Sequence, residues 1–418
     1  MKTVIYIVAL LVIIYGCNEA ASNSKIVHRE DSLQYYPPTP KPLDKLEFRQ
    51  YHRVLSSFFD SLLLKKGFNG SILVAKDGAI IYEKYAGFAD LRKKDSLTSS
   101  TPLHIASTGK TFTAMAVLRL VQDNKLTLGD SVQKFFPGFP YTGITVKMLL
   151  SHRSGLPNYL YFMEAEKRNK RYITNNDVLD FLVTKKPNMS FSAGKRFNYC
   201  NTNFVLLALI IEKISGKTFP AFMQEQVFGP LQMKNTYVFT LADTLTATPS
   251  FKANGGFWQN DMTDGTYGDK NVYTTPQDLL KWDQALYTEQ FLTKPFLDSA
   301  FTPNSNERPS IHNYGLGWRM LNIPNGKKVI YHFGRWHGCN AAFARLVDEK
   351  VTIIILGNKY NSNIYRVASK SYNLFGDYDQ NRNNKDDDSE EYESLAKTIQ
   401  ADTNEKTPGS PNSVAQSK

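Results

Sequence analysis

The chain has 418 residues, 42% hydrophobic and 21% charged, which is enough apolar content to bury a core and too much for a disordered protein. Its 50 Lys and Arg against 39 Asp and Glu give a formal net charge of +11; residues 376–418 are acidic, so the rest is the more basic part and suits anionic surfaces such as lipid headgroups. No basic stripe with interleaved aromatics marks a nucleic-acid binder, three cysteines exclude a disulfide scaffold, and H-E-x-x-H and G-x-S-x-G are both absent, which speaks against a zinc hydrolase and an α/β-hydrolase.

Lys2, the apolar run Val4 to Ile14 and then Tyr15-Gly16-Cys17 have the layout of an export signal over residues 1–16. The run is shorter than the roughly 20 residues that a membrane-spanning helix needs. Ile14-Tyr15-Gly16-Cys17 resembles a bacterial lipobox, although Tyr15 is bulkier than that motif usually carries. The resemblance implies that Cys17 is acylated, and so an exported cell-envelope protein held to membrane lipid on a periplasmic or outer-membrane face. The alternative is an ordinary signal peptide with an incidental Cys. Residues 17–48 are polar and contain Pro37-Pro38-Thr39-Pro40-Lys41-Pro42, an extended spacer.

The body is expected over 49–375. Val54, Leu55, Phe58, Phe59, Leu62 and Leu63 recur at helical spacing before Gly67. Two strand-like runs, Ser71–Lys76 and Ala79–Tyr85, flank Asp77-Gly78, a two-residue hairpin turn. Thr111–Val121, Phe204–Ile214 and Thr275–Tyr287 read as helices, the last opened by Thr275-Pro276. Strand patterns return at Tyr314–Met320, Val329–Phe333, Ala341–Val347 and Val351–Leu356. The expected fold is therefore α+β: one antiparallel sheet built from N- and C-terminal strands, flanked by helices, with a mainly helical inserted lobe. Residues 376–418, with Asp386-Asp387-Asp388 and Glu390-Glu391, read as a disordered tail.

Three short motifs carry chemistry. Ser107-Thr108-Gly109-Lys110 places a hydroxyl and an amine one helical turn apart, on the same side of a helix mouth. A partly buried Lys there can accept the hydroxyl proton, and the helix N-terminus favours an oxyanion. S-x-x-K occurs five times in the chain, but only Ser107 opens an apolar helix; a capping serine is the alternative. Tyr199-Cys200-Asn201 is the one Y-x-N among 23 tyrosines, and can aim two polar groups into one pocket or be a buried Tyr beside a cap. His332-Phe333-Gly334 ends a strand, where Gly lets another backbone approach closely; the alternative is a core His before a turn.

In this order these motifs resemble the serine β-lactamase and penicillin-binding-protein superfamily, in its class C-like branch of esterases, D-aminopeptidases and DD-carboxypeptidases. Phe68–Gly78, Leu149-Leu150-Ser151-His152-Arg153-Ser154-Gly155-Leu156-Pro157, and Tyr267-Gly268-Asp269 through Thr275 are similar to further segments of it, so the resemblance spans roughly residues 50–375. It implies a β-lactamase/transpeptidase-like fold and a catalytic set of Ser107, Lys110, Tyr199 and His332. Ser107 would be acylated, and Lys110 and Tyr199 would share proton transfer. Asn201 would hold substrate or orient Lys110, and the backbone at Ser107 and at Arg335, after Gly334, would form the oxyanion hole. It implies no metal and no cofactor, and a small-molecule or peptide substrate.

Phe333 stands where β-lactamases and DD-peptidases usually carry a hydroxyl that helps bind a substrate carboxylate, a loss of about 1–3 kcal/mol. His332 replaces a fixed positive charge, and Arg335 is a candidate to restore it. Esters or D-amino-acid-containing peptides are therefore the expected substrates. The alternatives are a penicillin-binding DD-carboxypeptidase or β-lactamase, and a non-catalytic scaffold lipoprotein. Cys200 and Cys339 are expected as buried thiols, with a disulfide as the other option.

Overall fold

The structure, a computed structural model, describes residues 39–163 and 170–379. The expected signal peptide 1–16, Cys17, most of the spacer and nearly all of the acidic tail lie outside the described residues.

The first helix, α1 (Lys45–Leu62), is capped by Asp44, whose carboxylate accepts from the Leu46 N–H at 2.8 Å. It begins inside the stretch expected as spacer, because Asp44 is a strong cap and Tyr51, Val54, Leu55, Phe58 and Phe59 form one buried stripe. Gly67, at φ +76°, then turns the chain into β1 (Gly70–Lys76). Asp77 and Gly78 both have positive φ, as the predicted hairpin turn demands, and lead into β2 (Ala79–Ala86).

A helical lobe follows. Its main helices are α2 (Lys110–Gln122), α3 (Asn175–Lys185), α4 (Thr202–Ser215) and α5 (Pro276–Ala285). Thr275 caps α5 and Pro276 sits in its first turn, as predicted. Asp283 fixes α5 to the sheet: its carboxylate takes Arg345 Nε at 2.5 Å and Thr352 Oγ1 at 2.6 Å, all three residues being buried.

The chain then completes the sheet with β3 (His312–Tyr314), β4 (Arg319–Asn322), β5 (Lys328–Trp336), β6 (Cys339–Leu346) and β7 (Val351–Gly357). The order is β3-β4-β5-β6-β7-β1-β2, antiparallel throughout, so the N-terminal hairpin pairs with the last strand. The single strand expected over Tyr314–Met320 is instead two. Gly317, at φ +81°, reverses the chain where a Cβ would lie 2.2 Å from the Ala114 Cβ of α2, and Tyr314 pairs with Arg319.

Both faces of the central strands are covered. Ile72, Val74, Ile353 and Ile355 pack towards α1 and the C-terminal helix α6 (Asn363–Ser371); Leu73, Ala75, Ile354 and Leu356 face the lobe. That is why these strands read as unbroken apolar runs rather than alternating ones. Tyr378 is buried against Tyr372 and bonds Glu349, so the folded body runs past the expected bound at 375.

Candidate active site

Ser107 lies in a single 3-10 turn, Ala106–Gly109, immediately before α2. Ala106 is held at φ +49°, a conformation that non-glycine residues seldom adopt. His104 supports it: His104 Nδ1 accepts from the Ala106 N–H at 3.2 Å, so Nε2 carries the proton and donates to Asn271 Oδ1 at 3.0 Å. Burial pushes the His104 pKa down to about 4, which leaves the ring neutral. Thr108 Oγ1 ties the same turn to the carbonyl of His332 at 3.2 Å. Ser107 caps no helix; its half-buried hydroxyl meets Lys110 Nζ at 3.0 Å instead.

Lys110 is fully buried at the first position of α2. Its Nζ donates to Ser107 Oγ, to Asn201 Oδ1 at 2.8 Å and to the Asp269 carbonyl at 2.6 Å. All three partners are neutral oxygens, and no carboxylate oxygen is among them. Asp269 is brought there by Gly268, where a Cβ would lie 2.5 Å from the Phe204 carbonyl of α4.

Tyr199 stands half-buried among these groups. Lys110 Nζ lies 5.0 Å and the Arg319 guanidinium 5.2 Å from its ring centre, and the His152 ring packs against it at 4.3 Å. His152 is fully buried and accepts the Cys200 N–H on Nδ1 at 3.1 Å; its Nε2 has no hydrogen-bond partner among the described residues. Burial, then the charge of Lys110, holds its pKa well below the ordinary value, so Tyr199 rests on a neutral imidazole.

His332, expected among the catalytic groups, is placed differently. It is fully buried, its Nδ1 donates to the Phe333 carbonyl at 2.8 Å, and its Nε2 accepts from the Tyr314 hydroxyl at 3.3 Å. Burial first, and then Arg319 and Lys110, keep it neutral. With both nitrogens committed it offers no free proton site to a substrate.

Gly334 meets the expectation of close approach: a Cβ there would lie 2.3 Å from the Ile105 carbonyl and 2.9 Å from Ser107 N. The part of β5 around Gly334 therefore runs directly against the Ser107 turn. The Arg335 side chain turns away, over the Tyr360 ring at 5.0 Å, and does not supply the charge that His332 lacks. Phe333 stacks on Tyr365 at 5.3 Å, packed with the core on the α1 side of the sheet. Cys200 and Cys339 are buried free thiols, not a disulfide, and burial pushes them up to about 11 and about 12.

The sequence reading did not single out Arg319 or His104, and it quoted His152 and Asp269 only as parts of similar segments. His104 opens the very run that holds Ser107, but nothing local shows that its ring folds back on the Ala106 amide. A cavity of about 820 Å3 lies beyond Trp336, lined by His104, Trp258, Asp264, Tyr273 and Cys339 among others, and not by Ser107. Asp261, Asp264 and His337 on its wall are close enough to share a metal ion. They are already engaged: Asp264 accepts from Trp336 Nε1 at 2.6 Å and His337 Nε2 at 2.9 Å, and Asp261 caps a turn at Thr263. The group ties a loop to the β5–β6 hairpin.

Residues 62–374 match a family model described as Beta-lactamase. Penicillin-binding protein 4* of Bacillus subtilis (strain 168) is 32% identical over 343 residues, 77% of this chain and 76% of that protein. A D-aminopeptidase of Brucella anthropi is 26% identical; the match takes in 74% of this chain but only 59% of the peptidase. Among solved structures, a penicillin-binding protein from Bacillus halodurans superposes with a TM-score of 0.67 at 24% identity, over 78% of this chain and 99% of that one. A D-amino acid amidase from Ochrobactrum anthropi SV3 gives 0.63 at 22%, over 77% and 99%. These two likenesses show the fold, an α+β β-lactamase/transpeptidase-like arrangement.

Proposed function

The chain belongs to the beta-lactamase family of serine hydrolases, and from that premise we propose that it cleaves esters or D-amino-acid-containing peptides through an acyl-enzyme on Ser107. The observation that carries this reading is the 3.0 Å contact between Ser107 Oγ and a Lys110 Nζ that Asn201 and Asp269 fix from two other sides. An amine so held is pre-oriented towards one hydroxyl, which lowers the cost of organising the reacting atoms.

Ser107 Oγ attacks the carbonyl carbon, and Lys110 and Tyr199 pass its proton to the leaving atom. Asn201 orients Lys110. The oxyanion is taken by backbone N–H groups of Ser107 and Arg335, a reading that the close approach of Gly334 to the Ser107 turn supports. His104, His152 and His332 are positioning residues: as neutral rings they add no charge, and they hold the Ala106 turn, Tyr199 and Tyr314. No metal or cofactor has a step in this chemistry.

Penicillin binding is the second reading, and the name of the Bacillus subtilis relative favours it. Against efficient β-lactam turnover stands Phe333, which offers no hydroxyl and packs on Tyr365. Export and lipid attachment at Cys17 are proposed on the sequence of residues 1–17 alone.

The test is burst kinetics and intact mass with p-nitrophenyl acetate and butyrate, with and without Ser107→Ala. An acyl adduct on the native protein only supports the reading; turnover that survives the substitution overturns it. Nitrocefin and D-alanyl-D-alanine peptides then separate the two substrate readings.

A further inference from the structure

We propose that Trp336 sets the size of the acyl group this site accepts: it closes the acyl side of the cleft against the cavity of about 820 Å3 behind it, so that short acyl groups fit beside Ser107 and long ones do not. This rests on the acyl-enzyme reading above and adds the acyl half of the substrate to it.

The argument starts from the two faces of β5. Side chains alternate along a strand, so His332, Gly334 and Trp336 share one face, and Phe333 and Arg335 share the other. The contacts agree. Gly334 lies against the Ser107 turn and Trp336 Nε1 donates to Asp264, whereas Phe333 and Arg335 pack on Tyr365 and Tyr360. The Tyr199 ring lies 6.3 Å from that of His332, two residues before Gly334. Trp336 is two residues after Gly334, about 7 Å further along the strand. Ser107 therefore sits between Tyr199 and Trp336. A carbonyl whose oxygen rests on the Ser107 and Arg335 amides carries two substituents. The leaving group must face Tyr199 to be protonated, so the acyl chain points towards Trp336.

Trp336 is a fixed wall rather than a loose side chain. Asp264 accepts from Trp336 Nε1 at 2.6 Å and from His337 Nε2 at 2.9 Å, which ties down two successive residues at the tip of the β5–β6 hairpin. The next residue, Gly338, is pressed so closely on a neighbouring strand that a Cβ would lie 2.1 Å from the Phe251 carbonyl. The fully buried Lys270 supports the indole face, with Nζ 4.7 Å from the ring centre. That amine is held in turn by the Tyr159 hydroxyl at 2.6 Å and by Asp269, 3.6 Å away. Behind Trp336 the cavity runs on to His104, Trp258, Tyr273 and Cys339 without reaching Ser107. Its volume falls in the range of ordinary ligand pockets, about 300–1,000 Å3. With the indole in place that space is shut off from the acyl side; with a methyl group there, an acyl chain reaches it.

The experiment measures p-nitrophenyl acetate, butyrate and octanoate with the native protein, Trp336→Phe, Trp336→Leu and Trp336→Ala. The octanoate-to-acetate ratio of kcat/KM is read within one preparation, so a partly misfolded fraction cancels. The native protein should favour acetate by about 10- to 100-fold, because the added methylenes find no room to be buried. The ratio should rise by about 10- to 100-fold in Trp336→Ala, chiefly through the KM for octanoate, rise less in Trp336→Leu and stay native in Trp336→Phe. If Trp336→Ala does not fold, Trp336→Leu carries the comparison. A native protein that takes octanoate as readily as acetate, or a ratio that neither small variant moves, overturns the assignment; a Ser107 adduct with acetate then leaves the acyl-enzyme reading standing. Absence of any Ser107 adduct with all three esters overturns the acyl-enzyme reading itself, and this assignment with it.

Discussion

Asn201 stands at the N-cap position of α4, but its side chain bonds none of that helix's free amides; Oδ1 lies 2.8 Å from Lys110 Nζ. A cap bond is worth about 1 kcal/mol to a helix, so this residue serves the site rather than the fold. We expect Asn201→Ala to lower acylation by about 10- to 100-fold, because Lys110 loses one of its three anchors. Its unfolding free energy should stay within about 1 kcal/mol of native. A urea melt and a single-turnover assay on the same preparation check both halves, and a large stability loss with unaltered acylation would reverse the interpretation.

Gly334 is required by contact rather than by φ. A methyl group there would overlap the Ile105 carbonyl at 2.3 Å, so either β5 or the Ser107 turn must move. We expect Gly334→Ala to cost about 1–3 kcal/mol of stability through overpacking. Acylation should fall by about 100-fold or more, since a displacement near 1 Å is enough for that. Intact-mass labelling with p-nitrophenyl acetate reports it.

Asp283 and Arg345 form a fully buried pair that joins α5 to β6. Removing one partner strands the other charge, so Asp283→Ala should destabilise by about 3–5 kcal/mol. Replacing both, Asp283→Leu with Arg345→Met, should be milder than the single change, because no uncompensated charge remains. Chemical denaturation of the three proteins is decisive; a double variant worse than the single one would count against a charge-based cause.

Three buried histidines set an acid limit on the fold. His104 titrates near 4 and His152 and His332 well below their ordinary value, in each case chiefly through burial. Unfolded, each returns to about 6.5. Their folded pKa values are depressed, so the stability they contribute is complete above about pH 6.5 and is lost as pH falls towards 4, where unfolding takes up protons. The slope should approach 1.4 kcal/mol per pH unit for each histidine. Urea titrations from pH 7.5 to 4.5 should show it, and His104→Asn should flatten it; a pH-independent unfolding energy over that range would rule the account out.

Much of the fold was legible in the sequence because its signals are local. Helical periodicity in Val54–Leu63, the Asp77-Gly78 turn and the Thr275-Pro276 start each depend on a few neighbouring residues, and each formed where it was expected. Ser107 and Lys110 were legible for the same reason, being three residues apart on one helix mouth. The strand expected over Tyr314–Met320 failed because its reversal is imposed by Ala114, some 200 residues earlier in the chain.

The sequence by itself determined the family, the sheet and its helical insert, and the residue types of the site. Only the tertiary structure decided which of those residues are free to act. Burial made His332 a neutral, doubly bonded ring, packing sent Arg335 out over Tyr360, and strand pairing brought Arg319 to Tyr199, with no carboxylate beside it among the described residues. Protonation and charge balance depend on desolvation and on partners far away in the chain, as Asn201 is 91 residues from Lys110, and no local pattern carries that information.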